Sequence, residues 1–250
     1  MTDPSLLEFD WALPRGVRAA FTTRRGGVST APWDSFNLGA HVGDAPEHVN
    51  ANRARLRALL KLPGDPGWLN QVHGSAVVDF DAVPAATAPP TADAVIATRA
   101  GRACVIMVAD CLPVLFVSRD GERVGAAHAG WRGLASGVLE HTVRALGVAP
   151  AQLSAWLGPA ISQRHFEVGA EVRDAFVAAD PGAGAYFVAN ERGRWQSDLA
   201  GLARRRLTAA GVGAISGGEW CTFADPERFY SHRRDGRGGR MAALIWQTNR

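Results

Sequence analysis

A single α+β domain spanning residues 1–250 is the fold class that the sequence predicts, on three observations. Short β-rich runs cluster between Ala103 and His128 instead of alternating regularly with helices. Several separate segments carry helical periodicity. No Gly/Pro-rich linker divides the chain into two self-sufficient halves. With 250 residues, 47% of them apolar, the chain can bury a sizeable core, which excludes global disorder.

The elements follow in order. Asp44-Ala-Pro-Glu opens a helix with an acidic first turn, Val49, Leu56, Leu59 and Leu60 share its face, and Pro63-Gly64 stop it. The stretch from Ala82 to Ala92, AVPAATAPPTA, predicts an extended surface loop. Ala103–Val108 reads as a buried strand, Ala109–Pro113 as a turn, Val114–Ser118 as a second strand, and Arg123–Ala127, after the Asp120-Gly121 turn, as a third. A helix over Leu134–Leu146 aligns Leu134, Val138, His141 and Ala145. A strand at Ser154–Leu157, helices near Ala170–Ala179 and Ser197–Ala210, and a closing strand at Met241–Trp246 complete the pattern.

Composition excludes several classes. Three cysteines are too few and odd in number for a disulfide scaffold. The longest apolar stretch, Cys104 to Val117, is interrupted by Asp110 and Pro113 and falls short of the roughly 18 to 20 residues that a membrane span requires. The N-terminus lacks a basic segment followed by an apolar one, so a cytoplasmic, reducing setting is expected, where a free thiol can act as ligand or nucleophile. Of 27 basic residues only Lys61 is lysine. The net charge of +3 and the absence of a basic element argue against nucleic acid as partner.

Of the seven histidines, His48 and His141 lie on predicted helices and read as structural. His73 in Asn70-Gln-Val-His-Gly, Cys111 in Ala109-Asp-Cys-Leu-Pro and His128 in Ala126-Ala-His-Ala-Gly-Trp-Arg-Gly each follow an apolar run and precede Gly or Pro, so each should project from a strand end. If the strands leading to Cys111 and His128 are neighbours, one thiolate and two imidazoles meet at one sheet edge. Zinc accepts that set, and three protein ligands leave a fourth position open, as catalytic sites do. Spacings of 38 and 17 residues carry no zinc signature, so two other readings stay open: a buried cysteine with unrelated loop histidines, and a Cys111 nucleophile with His128 as its base. Glycine-bounded arginines at 22–29, 130–133 and 233–240 suit anions, or, for the last, a solvated loop.

FTTRRGGVS (21–29), SFNLG (35–39), NQVHG (70–74), ADA (92–94), ADCLPVLF (109–116), AAHAGWRG (126–133), GPAI (158–161), FEVG (166–169), and CTFAD followed by RRDGRGGRMAALIW resemble, in this order, the YfiH family, also called the laccase-domain family. The resemblance runs from residue 21 to 246 and implies an α+β fold with mixed sheets layered between helices. It implies zinc held by His73, Cys111 and His128, with copper as the alternative occupant. It also implies phosphorolysis of purine nucleosides (adenosine, inosine, methylthioadenosine) and an associated adenosine deamination. Some bacterial members are linked instead to editing of peptidoglycan precursors, and a zinc-stabilised binding module is the non-enzymatic alternative.

Phosphate and nucleosides are the expected partners, with no membrane contact, and no interface pattern encodes an oligomeric state. By motif position, Arg24 and Arg132 are expected to hold phosphate, and Asp110, Asn37 and Gln71 to position the base or its proton. The sequence departs from the family pattern at Ala160, where many relatives have cysteine, and at Gln196-Ser197, where the expected effect is on helix packing alone. Seven histidines without a His-X-His pair argue against multicopper oxidase chemistry.

Overall fold

Twelve strands and six helices are present among the residues that the computed structural model describes, 3–84 and 88–248. In chain order these are β1 (Val17–Phe21), α1 (Pro46–Leu60), β2 (Val77–Asp79), β3 (Ala94–Ala97), β4 (Ala103–Val108), β5 (Leu112–Ser118), β6 (Val124–Ala129), α2 (Trp131–Ala135), α3 (Val138–Ala145), β7 (Leu153–Leu157), β8 (Glu167–Val168), α4 (Ala170–Val177), β9 (Phe187–Ala189), β10 (Trp195–Ser197), α5 (Leu199–Ala209), β11 (Ala214–Gly217), α6 (His232–Asp235) and β12 (Met241–Gln247). No helix among the described residues is long and apolar enough to cross a membrane.

Three sheets form: β1-β12-β4, the mixed β11-β7-β5-β6-β3-β2, and the small β8-β10-β9. The period-2 alternation of strands explains the layers. On β4, Cys104, Ile106 and Val108 point one way, and Val105 points the other. On β12, Met241, Ala243 and Ile245 oppose Ala242, Leu244 and Trp246. The first sets pack with Leu115, Val117 and Trp156 of the six-stranded sheet, and the second sets pack under α1 with Phe36, Leu38 and Leu56. The outer face of the six-stranded sheet, with Leu112, Val114 and Phe116, is covered by Leu139 and Val143 of α3 and Leu202 and Leu207 of α5. The result is helix, sheet, sheet, helix, the layered α+β architecture that the resemblance implied.

Several local expectations are corrected. The turn after β4 is shorter than Ala109–Pro113, because β5 begins at Leu112 and takes Pro113 into the strand, opposite His128. The helix over Leu134–Leu146 is two helices, broken where Gly137 adopts φ +88°, a left-handed backbone that glycine accepts without a Cβ penalty. Gln196-Ser197 sit in β10, and α5 starts at Leu199 behind the Asp198 cap, which accepts from the Gly201 N–H at 2.8 Å. The Ala82–Ala92 loop includes residues 85–87, which lie outside the described residues.

The strands before the two site motifs are also not sheet neighbours. β4 belongs to the three-stranded sheet and β6 to the six-stranded one. Cys111 reaches His128 because it opens β5, which pairs antiparallel with β6 in the register Leu112↔Ala129 and Pro113↔His128.

Candidate metal centre

His128 is the last but one residue of β6, Cys111 precedes β5, and His73 lies in the loop before β2. Their ligand atoms all lie within 4.8 Å of one another, and the two imidazole rings stand edge to face with centroids 4.8 Å apart. His128 is buried, Cys111 partly buried and His73 exposed, so the cluster opens to solvent on the His73 side. His73 at φ +61° and Asp110 at φ +89° are two of the three non-glycine residues with left-handed backbone among those described. Backbone held in this region at a site reflects constraint by its surroundings.

Asp93 supplies that constraint. Wholly buried, its carboxylate accepts the backbone N–H groups of His73 (2.9 Å), Gly74 (2.6 Å) and Val72 (3.2 Å), and the Nδ1–H of His128 at 2.8 Å. The acceptor fixes the tautomer of His128: a hydrogen on Nδ1 leaves Nε2 as the free donor to a metal. One carboxylate thus holds both histidines. Motif reading quoted Asp93 within ADA but gave it no role.

The electrostatics follow. Burial pushes the Cys111 thiol up, but the charge of His128 and hydrogen bonds from His128 and His73 outweigh this and bring it down to about 6. Burial pushes His128 down, and the Cys111 charge and the Asp93 bond more than reverse this, raising it to about 9. In the metal-free protein the pair is therefore thiolate and imidazolium at neutral pH. Alkylation of Cys111 by iodoacetamide in that form is expected to rise through a midpoint near pH 6, and a midpoint near the ordinary 9.0 would refute the pairing. Cys104, whose thiol burial pushes well up, should stay unreactive throughout.

The donor set fits a metal ion. Two neutral imidazole nitrogens and a thiolate are ligands that zinc accepts, and Gly130 leaves room beside them: a Cβ there would come within 2.9 Å of Cys111 Sγ and 3.1 Å of His73 Cδ2.

The other expected site residues are placed as follows. Asp110 is buried, and its carboxylate accepts hydrogen bonds from Thr222 Oγ1 (2.6 Å), Ser231 Oγ (3.0 Å) and the Arg233 N–H (2.7 Å), joining the Cys111 turn to the Thr222 loop and the start of α6. Gln71 exchanges two hydrogen bonds with the main chain of Met107, at 2.9 and 2.8 Å, clamping the His73 loop to β4. Asn37 is buried, donating to Asp44 and Gly39 O and accepting from the N–H groups of Gly39 and Arg240. Arg24 donates to Asp34 O, the Asp34 carboxylate and Pro226 O. Arg132 is exposed, its guanidinium 4.3 Å from the Trp131 ring, with no hydrogen-bond or ion-pair partner among the described residues. His141 donates from Nδ1 to Ser75 O at 2.9 Å, and His48 lies 3.5 Å from Asp44. The cavity of about 620 Å³ bounded by Trp68, Phe80 and Pro90 lies elsewhere and includes none of the cluster.

Residues 18–248 match a family model described as multi-copper polyphenol oxidoreductase laccase. A Pseudomonas aeruginosa protein named purine nucleoside phosphorylase is 56% identical over 95% of this chain and 96% of its own. The Escherichia coli purine nucleoside phosphorylase YfiH is 51% identical over 94% and 96%. Among solved structures, a Neisseria meningitidis protein, NMB0706, superposes with a TM-score of 0.94 at 46% identity, covering 98% of this chain and 100% of that one. Bacillus licheniformis YfiH gives 0.90 at 32% identity, covering 98% and 97%. The chain belongs to the YfiH family, the laccase-like proteins that this model describes.

Proposed function

We propose that the chain is a zinc-dependent purine nucleoside phosphorylase, converting adenosine, inosine or methylthioadenosine and phosphate to the free base and pentose 1-phosphate, with adenosine deamination as a side activity. The observation that carries this reading is the open-sided His73–Cys111–His128 cluster, in a chain half-identical over nearly its whole length to proteins named for that activity. The laccase description fits the residues less well, because two histidines and one cysteine cannot build a multicopper centre.

Held by His73, Cys111 and His128, zinc would supply a fixed positive charge beside the substrates. In the reaction a phosphate oxygen bonds to the anomeric carbon as the bond to the purine nitrogen breaks. The bond's electron pair leaves with the base, which takes a proton from solvent. Charge develops as cation on the sugar and anion on the base, so the protein's task is orientation and electrostatic stabilisation. Exposed Val72 and half-buried Trp131 offer apolar surface to a purine face, and Arg132 has a free guanidinium fork for an anionic group. Asp93 positions both histidines, Asp110 positions Cys111 through the loops it joins, and Gln71, Asn37 and Arg24 act as positioning residues for the strands and loops around them.

The test is product analysis with adenosine, with and without phosphate, beside Cys111→Ala. Adenine and ribose 1-phosphate should form only with phosphate, and both turnover and stoichiometric zinc should be lost in the variant. Absence of nucleoside turnover by the zinc-loaded protein would overturn the reading.

The low thiol pKa of Cys111 favours one rival, a cysteine hydrolase acting on an amide such as that of a cell-wall precursor. That rival requires activity that survives a chelator and covalent labelling of Cys111 by an electrophile. The zinc reading requires that a chelator abolish activity and that Cys111 resist the electrophile while zinc is bound.

A further inference from the structure

His41 has no role in the site described above, yet it lies within electrostatic reach of both metal-site histidines and of two arginines, Arg53 and Arg240. Both arginines pack on the 37–41 loop, which carries His41. Arg53, from α1, donates through Nε (3.0 Å) and Nη2 (2.8 Å) to Leu38 O, and its guanidinium lies 3.9 Å from the Trp68 ring. Its Nη2 also approaches Met107 Sδ at 3.8 Å, on the residue that Gln71 grips. Arg240 donates its N–H to Asn37 Oδ1 at 2.9 Å, and its stem lies against Gly39, where a Cβ would come within 2.8 Å of Cγ. Its Nη1 donates to Gly238 O (3.2 Å) and Gly239 O (3.0 Å).

Neither arginine has a carboxylate within ion-pair distance among the described residues, although Arg206 and Arg234, also partly buried, are paired with Glu140 and Asp235. The acids nearby are engaged elsewhere. Asp44 accepts from Ser29, Asn37 and the Ala45 N–H. Asp65 pairs with Arg57, and Asp93 and Asp110 are saturated as described. Nη1 of Arg53 and Nε and Nη2 of Arg240 carry no partner among the described residues. Burial lowers both guanidinium groups, Arg53 to about 10, and outweighs the opposing charges of Asp65 on Arg53 and of Cys111 and Asp110 on Arg240. Two partly buried guanidinium forks with open N–H groups and no carboxylate at ion-pair distance are suited to an anion that joins them.

We propose that Arg53, Arg240 and His41 form an oxyanion site beside the metal cluster and that it takes inorganic phosphate, the co-substrate. The identity of the anion rests on the phosphorylase reading; the existence of the site does not. Forked donors from two sides and an imidazole suit a tetrahedral dianion better than a flat carboxylate or a neutral sugar.

The test uses Arg240→Met, which keeps the stem against Gly39, with Arg240→Lys as the charge-retaining partner, and His41→Ala. Arg132→Met is the rival and Arg204→Met, whose arginine is held by carbonyls of Ile215 and Gly217, the distant control. Phosphate binding to zinc-loaded protein is read by calorimetry, and KM is read separately for phosphate and adenosine, with zinc content and Tm measured in each variant. Arg240→Met is expected to raise the phosphate KM and Kd at least tenfold, to leave the adenosine KM within about twofold and to keep zinc stoichiometric; Arg240→Lys should recover part of the loss. Unchanged phosphate binding in Arg240→Met and His41→Ala, or a loss confined to Arg132→Met, would overturn the site while phosphate-dependent turnover still upheld the activity. Phosphate binding that depends on Arg240 in a protein that turns over no nucleoside would uphold the site and overturn the activity.

Discussion

Replacing Asp93 by alanine is expected to weaken metal binding by about 10- to 100-fold, the range found when partners behind a metal's direct ligands are removed, and to destabilise the fold at the same time. The carboxylate is fully buried and accepts four hydrogen bonds, three from the backbone of Val72, His73 and Gly74 and one from His128. Its loss leaves His128 without its orienting partner and releases the left-handed turn that aims His73. Removing one member of a buried charged pair costs about 3 kcal/mol or more, which for a chain of this size corresponds to roughly 6 to 12 °C in Tm.

Asp93→Asn separates the two effects, because an amide keeps an acceptor for part of the loop but cannot stabilise an imidazolium. It should lose less stability than the alanine variant and a similar share of metal affinity. Acid behaviour gives an independent reading. Burial raises the Asp93 carboxyl, but His128 and the loop N–H groups outweigh it and hold it below the ordinary 3.8. The carboxylate therefore contributes stability that is fully present above 3.8 and lost as pH falls through its folded value, and Asp93→Ala should flatten that acid limb. Stoichiometric zinc of unchanged affinity in Asp93→Ala, with Tm within a degree of the parent, would refute this account.

What made Cys111 and His128 legible was local chemistry: a polar residue stranded between an apolar run and a glycine or proline has to leave a strand end, whereas His73, expected at a strand end too, projects from a loop four residues before β2. The strands themselves were legible because the all-apolar runs of β4 and β5 announce strands covered on both faces, while their layering followed from the resemblance alone. The same uniformity concealed how the sheets divide. A strand buried on both faces carries no polar marker of which partner it takes, so whether β4 and β6 are neighbours stayed open in the sequence, and they belong to different sheets.

Asp93 was harder to read because its partners lie 20 and 35 residues away in sequence and it precedes a strand of only four residues. The amides of Asn37 and Gln71 looked like substrate contacts because sequence cannot distinguish an amide that binds ligand from one that stands in for a missing backbone partner. Here both serve the backbone, Gln71 as a two-bond clamp on Met107 and Asn37 as a bracket for Gly39 and Arg240. His41 gave no local signal either, as its neighbours Arg53 and Arg240 come from opposite ends of the chain.

Gly130→Ala should abolish the centre without unfolding the protein, because this glycine serves the cluster by its lack of a side chain. Its backbone, at φ −61° and ψ 158°, is one that alanine adopts without strain, so the fold should tolerate the change. The added Cβ, however, would lie 2.9 Å from Cys111 Sγ and 3.1 Å from His73 Cδ2, well inside ordinary contact distance. Cys111 is anchored by the start of β5, so the exposed His73 is the side chain that must yield, and its displacement opens the ligand set. A shift of about 1 Å in a reacting geometry can cost on the order of a hundredfold, and a comparable loss is expected here in both zinc affinity and turnover. Gly133→Ala attacks the same loop from behind, since its Cβ would meet the backbone Gly74 O at 2.6 Å, and should add a loss of stability to the same defect. Gly64→Ala, where nothing lies within 4 Å of the added atom, is the neutral control. Zinc titration, Tm of the metal-free form and phosphorolysis rates of the three variants decide the matter: if Gly130→Ala binds zinc as tightly as the parent, His73 is not a ligand and the centre rests on Cys111 and His128 alone.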